Sequence, residues 1–509
     1  MAKNKFFQLS ILLLLSFWVG SAMIGHQKTT SDLNQFELDD STIVKLATAD
    51  STLTDSSDMF SVLEIVKKLN SDGMPKPTSE FKKGHVNETN VKTTVKKTDN
   101  GFEIKLPANN GVPSPSFYNG QLYVSGGFGS KQFFCFDAET GEKTWGVDLD
   151  DDGPSSAVIK DGIVVFNTES CTIFACEEES GKQLWSHWLG DPLMSTPTIA
   201  NNLVFTTYPA YGNWGTVEDY ADITEGKFNP THVLIAFDLR TGAIQWQKWI
   251  DGDAIMAPVA DGDDLHLTSF TGTYYVVDQK TGEFKSANRM RGTSAPTICK
   301  TGILMSKRSD KLHEDDNASE SIMFFSLNSG QWAENYKREE ADYLDHKIQN
   351  SSRLKSSADH DDAGNGFSAG APASANANKA MMNIGQSNVS SLQAFVGSRT
   401  LNYNGRNFNT MGDSLVCTDE TSGEAKWKIG IKGDSKTQGG FMGTPPIKVG
   451  DCILIATYNG DLVLYTSIDG KEKKRWSTGE HIRSQPIAEN GWIYASTTTG
   501  KIVAINTKD

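Results

Sequence analysis

The stretch Phe134–Trp145, FCFDAETGEKTW, decides the fold because near copies of it recur along the chain. The copies read FACEEESGKQLW from Phe174, AFDLRTGAIQW from Ala236, VVDQKTGEFKS from Val276 and VCTDETSGEAKW from Val416. Each copy has an apolar segment, a turn that contains glycine, and a second segment that ends on Trp in four of the five. A recurring unit of about 40 residues indicates one supersecondary element used many times.

The turn of each copy has a physical reason for its composition. Glycine accepts the positive φ that a tight turn requires, while Asp and Thr side chains hydrogen-bond to the turn backbone. The unit is therefore predicted to be a β-hairpin.

A second landmark precedes each hairpin. It is a segment of small residues and proline, then Asn-Gly or Asp-Gly, then an apolar segment, as in PSPSFYNGQLYV at Pro113 and RSQPIAENGWIYAS at Arg483. There are eight such segments, counting a degenerate one at Ser390. Each unit then has four antiparallel strands, named A to D here, and such units pack radially as propeller blades.

The two ends of the sequence indicate that the blades close into a ring. The eighth unit stops at IVAINTKD and lacks its fourth strand, whereas an extra strand at 102–106 precedes the first unit. The fold class is therefore predicted to be all-β, an eight-bladed β-propeller over 101–509 that the N-terminal strand closes. We expect it to be monomeric.

The net charge and the number of cysteines argue against two classes of protein. The net charge of −15 argues against a nucleic-acid-binding protein. Six cysteines in 509 residues do not make a disulfide scaffold.

The N-terminus predicts export. Lys3 and Lys5 precede an uncharged apolar run, so 1–25 is either a signal peptide or an N-terminal membrane anchor. Residues 26–100 are interpreted as a polar linker with a helix at 59–69, which either docks on the main domain or binds a partner.

The hairpin is similar to the repeat of pyrroloquinoline-quinone (PQQ) enzymes, Ala-x-Asp-x-x-Thr-Gly-x-x-x-Trp. The chain resembles both quinoprotein alcohol dehydrogenases and the non-catalytic propeller lipoprotein of the outer-membrane β-barrel assembly machinery. The resemblance implies that each Trp docks one blade on its neighbour, and Ser286 stands where the fourth copy should have Trp. The residues expected to form these blade clasps are Asp137, Gly141, Trp145, Gly181, Trp185, Asp238, Gly242, Trp246, Asp278, Gly282, Asp419, Gly423 and Trp427.

Three inserts interrupt the repeat near 209–229, 308–320 and 334–388. All fall in B–C or D–A connections, which emerge on one face of a propeller, and elaborated loops on a regular scaffold often carry function. The leading hypothesis is a non-catalytic envelope protein without a cofactor that binds a protein or an envelope polymer through this face. A membrane contact is expected only through the N-terminal segment.

Two alternatives remain open. A PQQ- and Ca²⁺-dependent alcohol or sugar dehydrogenase needs a cation beside the quinone and a carboxylate base, for which Glu169, Asn213 and Asp219 are candidates. The run Asp148-Leu149-Asp150-Asp151-Asp152-Gly153 resembles the start of a calcium loop, so Asp148, Asp150 and Asp152 are candidate metal ligands. A carbohydrate-binding module is the other alternative, because the first insert contains Trp214 and Tyr220.

Overall fold

The strands of this protein form eight separate antiparallel sheets in a computed structural model. It describes residues 62–71, 81–169, 172–189, 195–209, 232–269, 272–290, 292, 294–308, 319–326, 331–333, 341–342, 399–411, 413–433 and 442–508. All of them belong to one compact unit, Phe36–Asp509.

The N-terminal elements come first in the chain. They are α1 (Val62–Ser71), β1 (Val86–Glu88), β2 (Thr94–Thr98) and β3 (Gly101–Lys105). The helix α1 is too short to cross a membrane, and no other helix in the described ranges is long and apolar enough to do so.

Blades 1 to 4 each contribute strands A to D in chain order. Blade 1 has β4 (Ser116–Tyr118), β5 (Gln121–Ser125), β6 (Gln132–Asp137) and β7 (Lys143–Leu149). Blade 2 has β8 (Val158–Lys160), β9 (Ile163–Asn167), β10 (Thr172–Glu177) and β11 (Gln183–Trp188). Blade 3 has β12 (Thr198–Ala200), β13 (Leu203–Pro209), β14 (His232–Asp238) and β15 (Ile244–Ile250). Blade 4 has β16 (Val259–Asp261), β17 (Asp264–Thr268), β18 (Thr273–Asp278) and β19 (Phe284–Arg289).

Blades 5 to 8 follow the same order. Blade 5 has β20 (Thr297–Cys299), β21 (Gly302–Arg308), β22 (Ser319–Ser326), β23 (Gln331–Ala333) and the short β24 (Ala341–Asp342), which pairs with β22. Blade 6 has β25 (Leu401–Tyr403), β26 (Arg406–Met411), β27 (Ser414–Asp419) and β28 (Ala425–Gly430). Blade 7 has β29 (Ile447–Val449), β30 (Cys452–Ala456), β31 (Asp461–Thr466) and β32 (Glu472–Ser477). Blade 8 has β33 (Ile487–Glu489), β34 (Trp492–Ser496) and β35 (Lys501–Asn506).

The predicted ring closure is confirmed. β3 pairs antiparallel with β35, with Phe102 opposite Ala504, and supplies the fourth strand of blade 8. Phe102 is buried, and a Cβ on Gly141 would lie 2.7 Å from its ring. The eight-bladed propeller predicted from the repeats is therefore the observed fold, and Phe102 occupies the clasp position of blade 8.

The predicted helix exists and docks on blades 3 and 4. Val62, Val66 and Leu69 of α1 are buried in a cluster that includes Trp246 of β15 and Phe284 of β19. Asn70 and Trp249 make two hydrogen bonds, one to the Asn70 Oδ1 from the Trp249 amide and one from the Asn70 Nδ2 to the Trp249 carbonyl. Apolar residues on one face of a short helix, with a side-chain amide at its end, explain this docking.

Residues 81–98 were expected to be linker, but they follow the outer edges of the blades. The Trp188 amide donates to the Lys82 carbonyl and the Ser186 hydroxyl to the Gly84 carbonyl, on blade 2. β1 then adds a fifth strand to blade 1, and β2 adds one to blade 8. Main-chain pairing to an edge strand needs no apolar alternation, which is why the sequence pattern missed these strands.

Candidate functional site

One end of the channel, called the mouth here, is formed by the B–C and D–A connections. The three inserts interrupt such connections in the sequence, but apart from β24 and strand residues at their borders they lie outside the described residues, as do Asn213, Trp214, Asp219 and Tyr220. The described mouth residues therefore carry the geometry that follows.

At the mouth, a series of hydrogen bonds from side chains to main-chain carbonyls joins four neighbouring blades. The residues involved lie two positions before strand A of their blades. The Ser156 hydroxyl donates to the Ser114 carbonyl at 2.8 Å and the Ser114 hydroxyl to the Gln485 carbonyl at 2.8 Å. The Gln485 Nε2 donates to the Pro445 carbonyl at 3.1 Å. The inner strands of blades 2, 1, 8 and 7 are thus tied together in order around the channel.

The direction of these bonds reverses between blades 3 and 4. The Thr196 amide donates to the Met256 carbonyl at 2.6 Å, from blade 3 toward blade 4. Met256 has a φ of 65°, which a non-glycine residue adopts at a cost of about 1–3 kcal/mol. The entry to strand A of blade 4 is therefore locally strained.

A second repeated device holds the carboxylates at the mouth. An acidic residue in the connection that enters a blade accepts bonds from the B–C turn of that same blade. Asp151 accepts from the Thr168 and Thr172 hydroxyls at 2.7 and 2.5 Å. In blade 4, Asp251 accepts from the Ser269 hydroxyl at 2.8 Å.

Asp251 also accepts from the Tyr275 and Thr273 hydroxyls. In blade 8, Glu480 accepts from the Thr499 hydroxyl at 2.6 Å and the Lys501 ammonium at 2.5 Å. These bonds lower the pKa of Glu480, the Lys501 bond having the largest effect. The mouth carboxylates of three blades therefore serve to fix their own turns.

Glu169, a cofactor candidate, lies at the mouth between blades 1 and 2. Burial raises the pKa of its carboxyl to about 8, with a smaller effect from Asp152 and then Asp151. Its carboxyl packs on Gly153, where an added Cβ would lie 2.0 Å from the Glu169 Cδ and where φ is +61°. Only glycine fits that position, so the sequence Asp-Gly in the acidic run serves the packing of Glu169.

The three candidate metal ligands are not brought together. Asp148 lies in β7 and accepts from the Gln132 Nε2 at 2.9 Å. The Asp150 amide donates to the His85 carbonyl, and Asp152 lies beside Glu169. Among the described residues, no three His, Cys, Asp or Glu side chains are placed to hold a metal ion.

A PQQ site makes a definite demand on the oxygen donors at the mouth. A quinone bound through a cation needs several oxygen ligands around that cation. The described mouth offers Glu169 beside Asp152, while Asp151 is held by two hydroxyls. Glu169 and Asp152 alone do not make up such a cation site, and the other candidates, Asn213 and Asp219, lie outside the described residues.

The clasp residues lie at the opposite face, on the C–D turns. In blade 1, Asp137 accepts from the Glu139 and Thr140 amides and the Thr140 hydroxyl. Asp238, Asp278 and Asp419 accept equivalent bonds in blades 3, 4 and 6. The glycines of these turns have positive φ: Gly141, Gly181, Gly242, Gly282 and Gly423.

Each clasp tryptophan reaches the next blade. The Trp185 Nε1 donates to the Leu239 carbonyl at 2.9 Å, and its indole lies where a Cβ on Gly242 would be, 2.6 Å away. The same bonds run from Trp145 to Glu178, from Trp246 to Gln279 and from Trp427 to Ser467, at 2.8, 2.8 and 3.3 Å. A β-bulge just before each C–D turn accompanies the placement of these rings.

Blade 4 replaces the clasp with buried polar groups. Ser286 is fully buried and its hydroxyl accepts from the Asn288 Nδ2 at 3.0 Å. His266, on the same sheet face, lies 2.7 Å from the Tyr274 hydroxyl through its Nδ1. Burial lowers the pKa of His266 to about 3, so the imidazole is neutral. The sequence showed that Trp was missing from the fourth copy, but it did not show these two hydrogen-bonded pairs within blade 4.

Parts of the sequence match known proteins. The family model of the outer membrane protein assembly factor BamB matches residues 130–227 and 394–509. The quinoprotein alcohol dehydrogenase PedH of Pseudomonas putida is 24% identical over 173 residues, which span 29% of this chain and 26% of that protein. The chain thus matches about a quarter of the length of this curated relative.

Solved structures resemble it as well. BamB from Moraxella catarrhalis is 13% identical with a TM-score of 0.36, over 84% of this chain and 98% of that one. Quinohemoprotein alcohol dehydrogenase from Comamonas testosteroni is 11% identical with a TM-score of 0.49, over 92% and 85% of the two chains. The resemblance to PQQ-type repeat propellers is confirmed, and this chain is similar both to the BamB family and to quinoprotein alcohol dehydrogenases.

Proposed function

We propose that this protein is an exported, non-catalytic propeller that binds a partner in the cell envelope through its mouth. The partner is a protein or an envelope polymer, and the inserts provide the contacts. One observation carries the proposal: Asp151, Asp251 and Glu480 are bound by hydroxyls or an ammonium of their own blades. These carboxylates stabilise the turns at the mouth. We therefore expect the inserts to contact the partner.

The location in the envelope rests on two supports. Lys3 and Lys5 precede an apolar run, as in an export signal. The matching family model describes an outer membrane protein assembly factor. Both favour a protein that works outside the cytoplasm.

The proposal is tested by removing the longest insert. Deleting 334–388 from the full chain should leave circular dichroism and the urea midpoint nearly unchanged, because the deletion keeps strands A to D of every blade and removes only the two-residue β24 from blade 5. A photo-crosslinking residue at Asn459, in a B–C turn at the mouth, should trap the partner in the wild type and lose it in the deletion.

The matched control places the same crosslinker at Lys280, on the exposed C–D turn of blade 4. Crosslinking from Lys280 but not from Asn459 would show that the partner uses the clasp face. Crosslinking from Asn459 that survives the deletion would show that 334–388 is not the contact.

A dehydrogenase remains the second candidate because of Glu169. A carboxyl whose pKa is raised to about 8 at a channel mouth is the kind of group that accepts a proton in catalysis. Adding PQQ and Ca²⁺ to the purified chain and following dye reduction with alcohols or sugars tests it. Turnover that Glu169→Gln abolishes would replace the binding proposal, whereas no bound PQQ and no turnover would remove this candidate.

A further inference from the structure

The outermost strands of blades 6, 7 and 8 are all exposed edges of neighbouring blades. They are β28, β32 and β2, and each is hydrogen-bonded to a neighbour on one side only among the described residues. No residue of β28 is buried, Trp476 alone is buried in β32, and all five residues of β2 are exposed. Three adjacent blades therefore present open strand edges to solvent.

The same three strands are basic in a chain of net charge −15. β28 has two lysines and no acid, β2 has two lysines and no acid, and β32 has three basic residues and one acid, so each has a net charge of +2. The surface formed by these three strands is called the basic rim here. Lys432 lies close enough to Glu472 to influence its pKa, which places the ends of β28 and β32 beside each other.

The one acidic residue of the basic rim, Glu472, and two on neighbouring strands, Asp461 and Asp419, already have basic partners. Arg475 binds Glu472 and Asp461, both at 2.6 Å, and Lys426 lies 3.2 Å from Asp419. Lys473 is exposed and forms no ion pair within the described ranges. Positive charge is therefore left over at the strand edges.

We propose that the basic rim is a second interaction surface, which takes an extended acidic segment of a partner protein as an added β-strand. An open edge offers main-chain donors and acceptors in register, and that is how strand addition obtains its affinity. The excess of basic side chains on each edge selects carboxylates on the incoming strand, and on β28 both Lys426 and Lys428 are exposed. Lysine on an edge also prevents two such edges from pairing with each other, so a neutral or basic strand is rejected.

The surface is independent of the mouth. β28, β32 and β2 are the outermost strands of their blades, whereas the inserts belong to connections at the end of the channel. Deleting 334–388 should therefore leave binding at the basic rim unchanged, and failure of one proposal does not decide the other.

The test uses the full chain and a fluorescent peptide of about ten residues that alternates Glu with Val or Thr. We expect saturable binding by anisotropy, weakened at least tenfold by Lys473→Glu with Lys474→Glu, and weakened on raising NaCl from about 50 mM to about 300 mM. Lys182→Glu with Lys280→Glu, on exposed turns of blades 2 and 4, is the matched control and should bind as the wild type does.

Two further probes separate strand addition from plain charge attraction. A peptide in which Gln replaces Glu should bind at least tenfold more weakly, and a peptide with N-methyl groups on alternate amides should not bind. Equal binding of the N-methylated peptide, or of phosphatidylglycerol vesicles, would overturn the proposal in favour of a general anion surface.

Other occupants give different results. Residues 31–58 contain seven acidic residues and one lysine. If the peptide binds only after 26–58 are removed, the chain's own segment occupies the rim and the partner proposal is wrong. A concentration-dependent dimer that Lys473→Glu with Lys474→Glu abolishes would instead assign the rim to a second copy.

Discussion

The outer edges of blades 2 to 4 and of blades 6 to 8 are built from the same repeat but end differently. In blades 2 to 4 the N-terminal segment lies over strand D, with α1 on β15 and β19 and with Lys82 and Gly84 on β11. In blades 6 and 7 strand D is exposed and basic, and in blade 8 the N-terminal strand β2 itself forms the exposed, basic edge. The repeat determines how blades pack on each other, whereas the non-repeating N-terminal segment determines which edges remain available.

The largest expected effect comes from comparing clasps in the two regions. Trp185 is 7% exposed and its indole bond to Leu239 is 2.9 Å, whereas Trp427 is only half-buried and its bond to Ser467 is 3.3 Å. Trp185→Ala should cost about 3–5 kcal/mol of unfolding free energy, because it leaves a cavity against Gly242. Trp427→Ala should cost clearly less, since less surface is removed from contact.

Urea unfolding of both variants, followed by tryptophan fluorescence and circular dichroism, measures the difference. Trp185→Phe is the control, because it removes mainly the indole hydrogen bond and should cost about 1 kcal/mol beyond the volume change. Equal losses for the two alanine variants would mean that coverage by the N-terminal segment has no bearing on how tightly neighbouring blades are held.

The next effect concerns α1. Leu69 is 1% exposed in the cluster with Trp246 and Phe284, so Leu69→Ala should cost about 2–5 kcal/mol of helix docking. Hydrogen exchange should then rise in β15 and β19, while β28 and β32 stay as in the wild type. Lys67→Ala, on the exposed side of α1, should change neither. Faster exchange in β32 would show that the N-terminal segment supports the whole ring.

Much of this arrangement could be predicted from the sequence, and the reasons are local. Asp137, Gly141 and Trp145 each satisfy a requirement within one hairpin or at its nearest neighbour, so their spacing repeats. The closing strand could be predicted because the last unit lacked one. The role of Phe102 as the clasp of blade 8 was not predicted. Phe102 fills the space beside Gly141, but it lacks the indole that marks the motif in the other copies.

The mouth could be predicted only in part. The spacing placed the inserts at one end of the channel, and it singled out Glu169 and the acidic run. It did not show that Asp151 is bound by Thr168 and Thr172, because the residue types at these positions change from blade to blade, for example to Lys501 as a donor in blade 8. Likewise β1 and β2 pair through their main chains, which leaves no side-chain pattern to read.

The last prediction compares two mouth carboxylates, one in each region, which should respond to pH with opposite sign. Burial raises the pKa of Glu169 from 4.5 to about 8, so its protonated form favours the folded state. That stabilisation is complete below pH 4.5 and is lost as the pH rises toward 8. The pKa of Glu480 is lowered from 4.5, mainly by the Lys501 bond, so its contribution is present above pH 4.5 and is lost as the pH falls further.

Urea midpoints of Glu169→Gln and Glu480→Gln, measured from about pH 4 to about pH 9, check both signs. Glu169→Gln should gain stability relative to the wild type as the pH rises, and Glu480→Gln should lose it over the same interval. Lys501→Met should reproduce the loss seen with Glu480→Gln, because it removes the ammonium that holds the carboxylate. The urea midpoints of Glu169→Gln and Glu480→Gln could instead shift in the same direction as the pH rises. The two carboxyls would then have similar environments, which would contradict the difference between Glu169 at blades 1 and 2 and the paired Glu480 at blade 8.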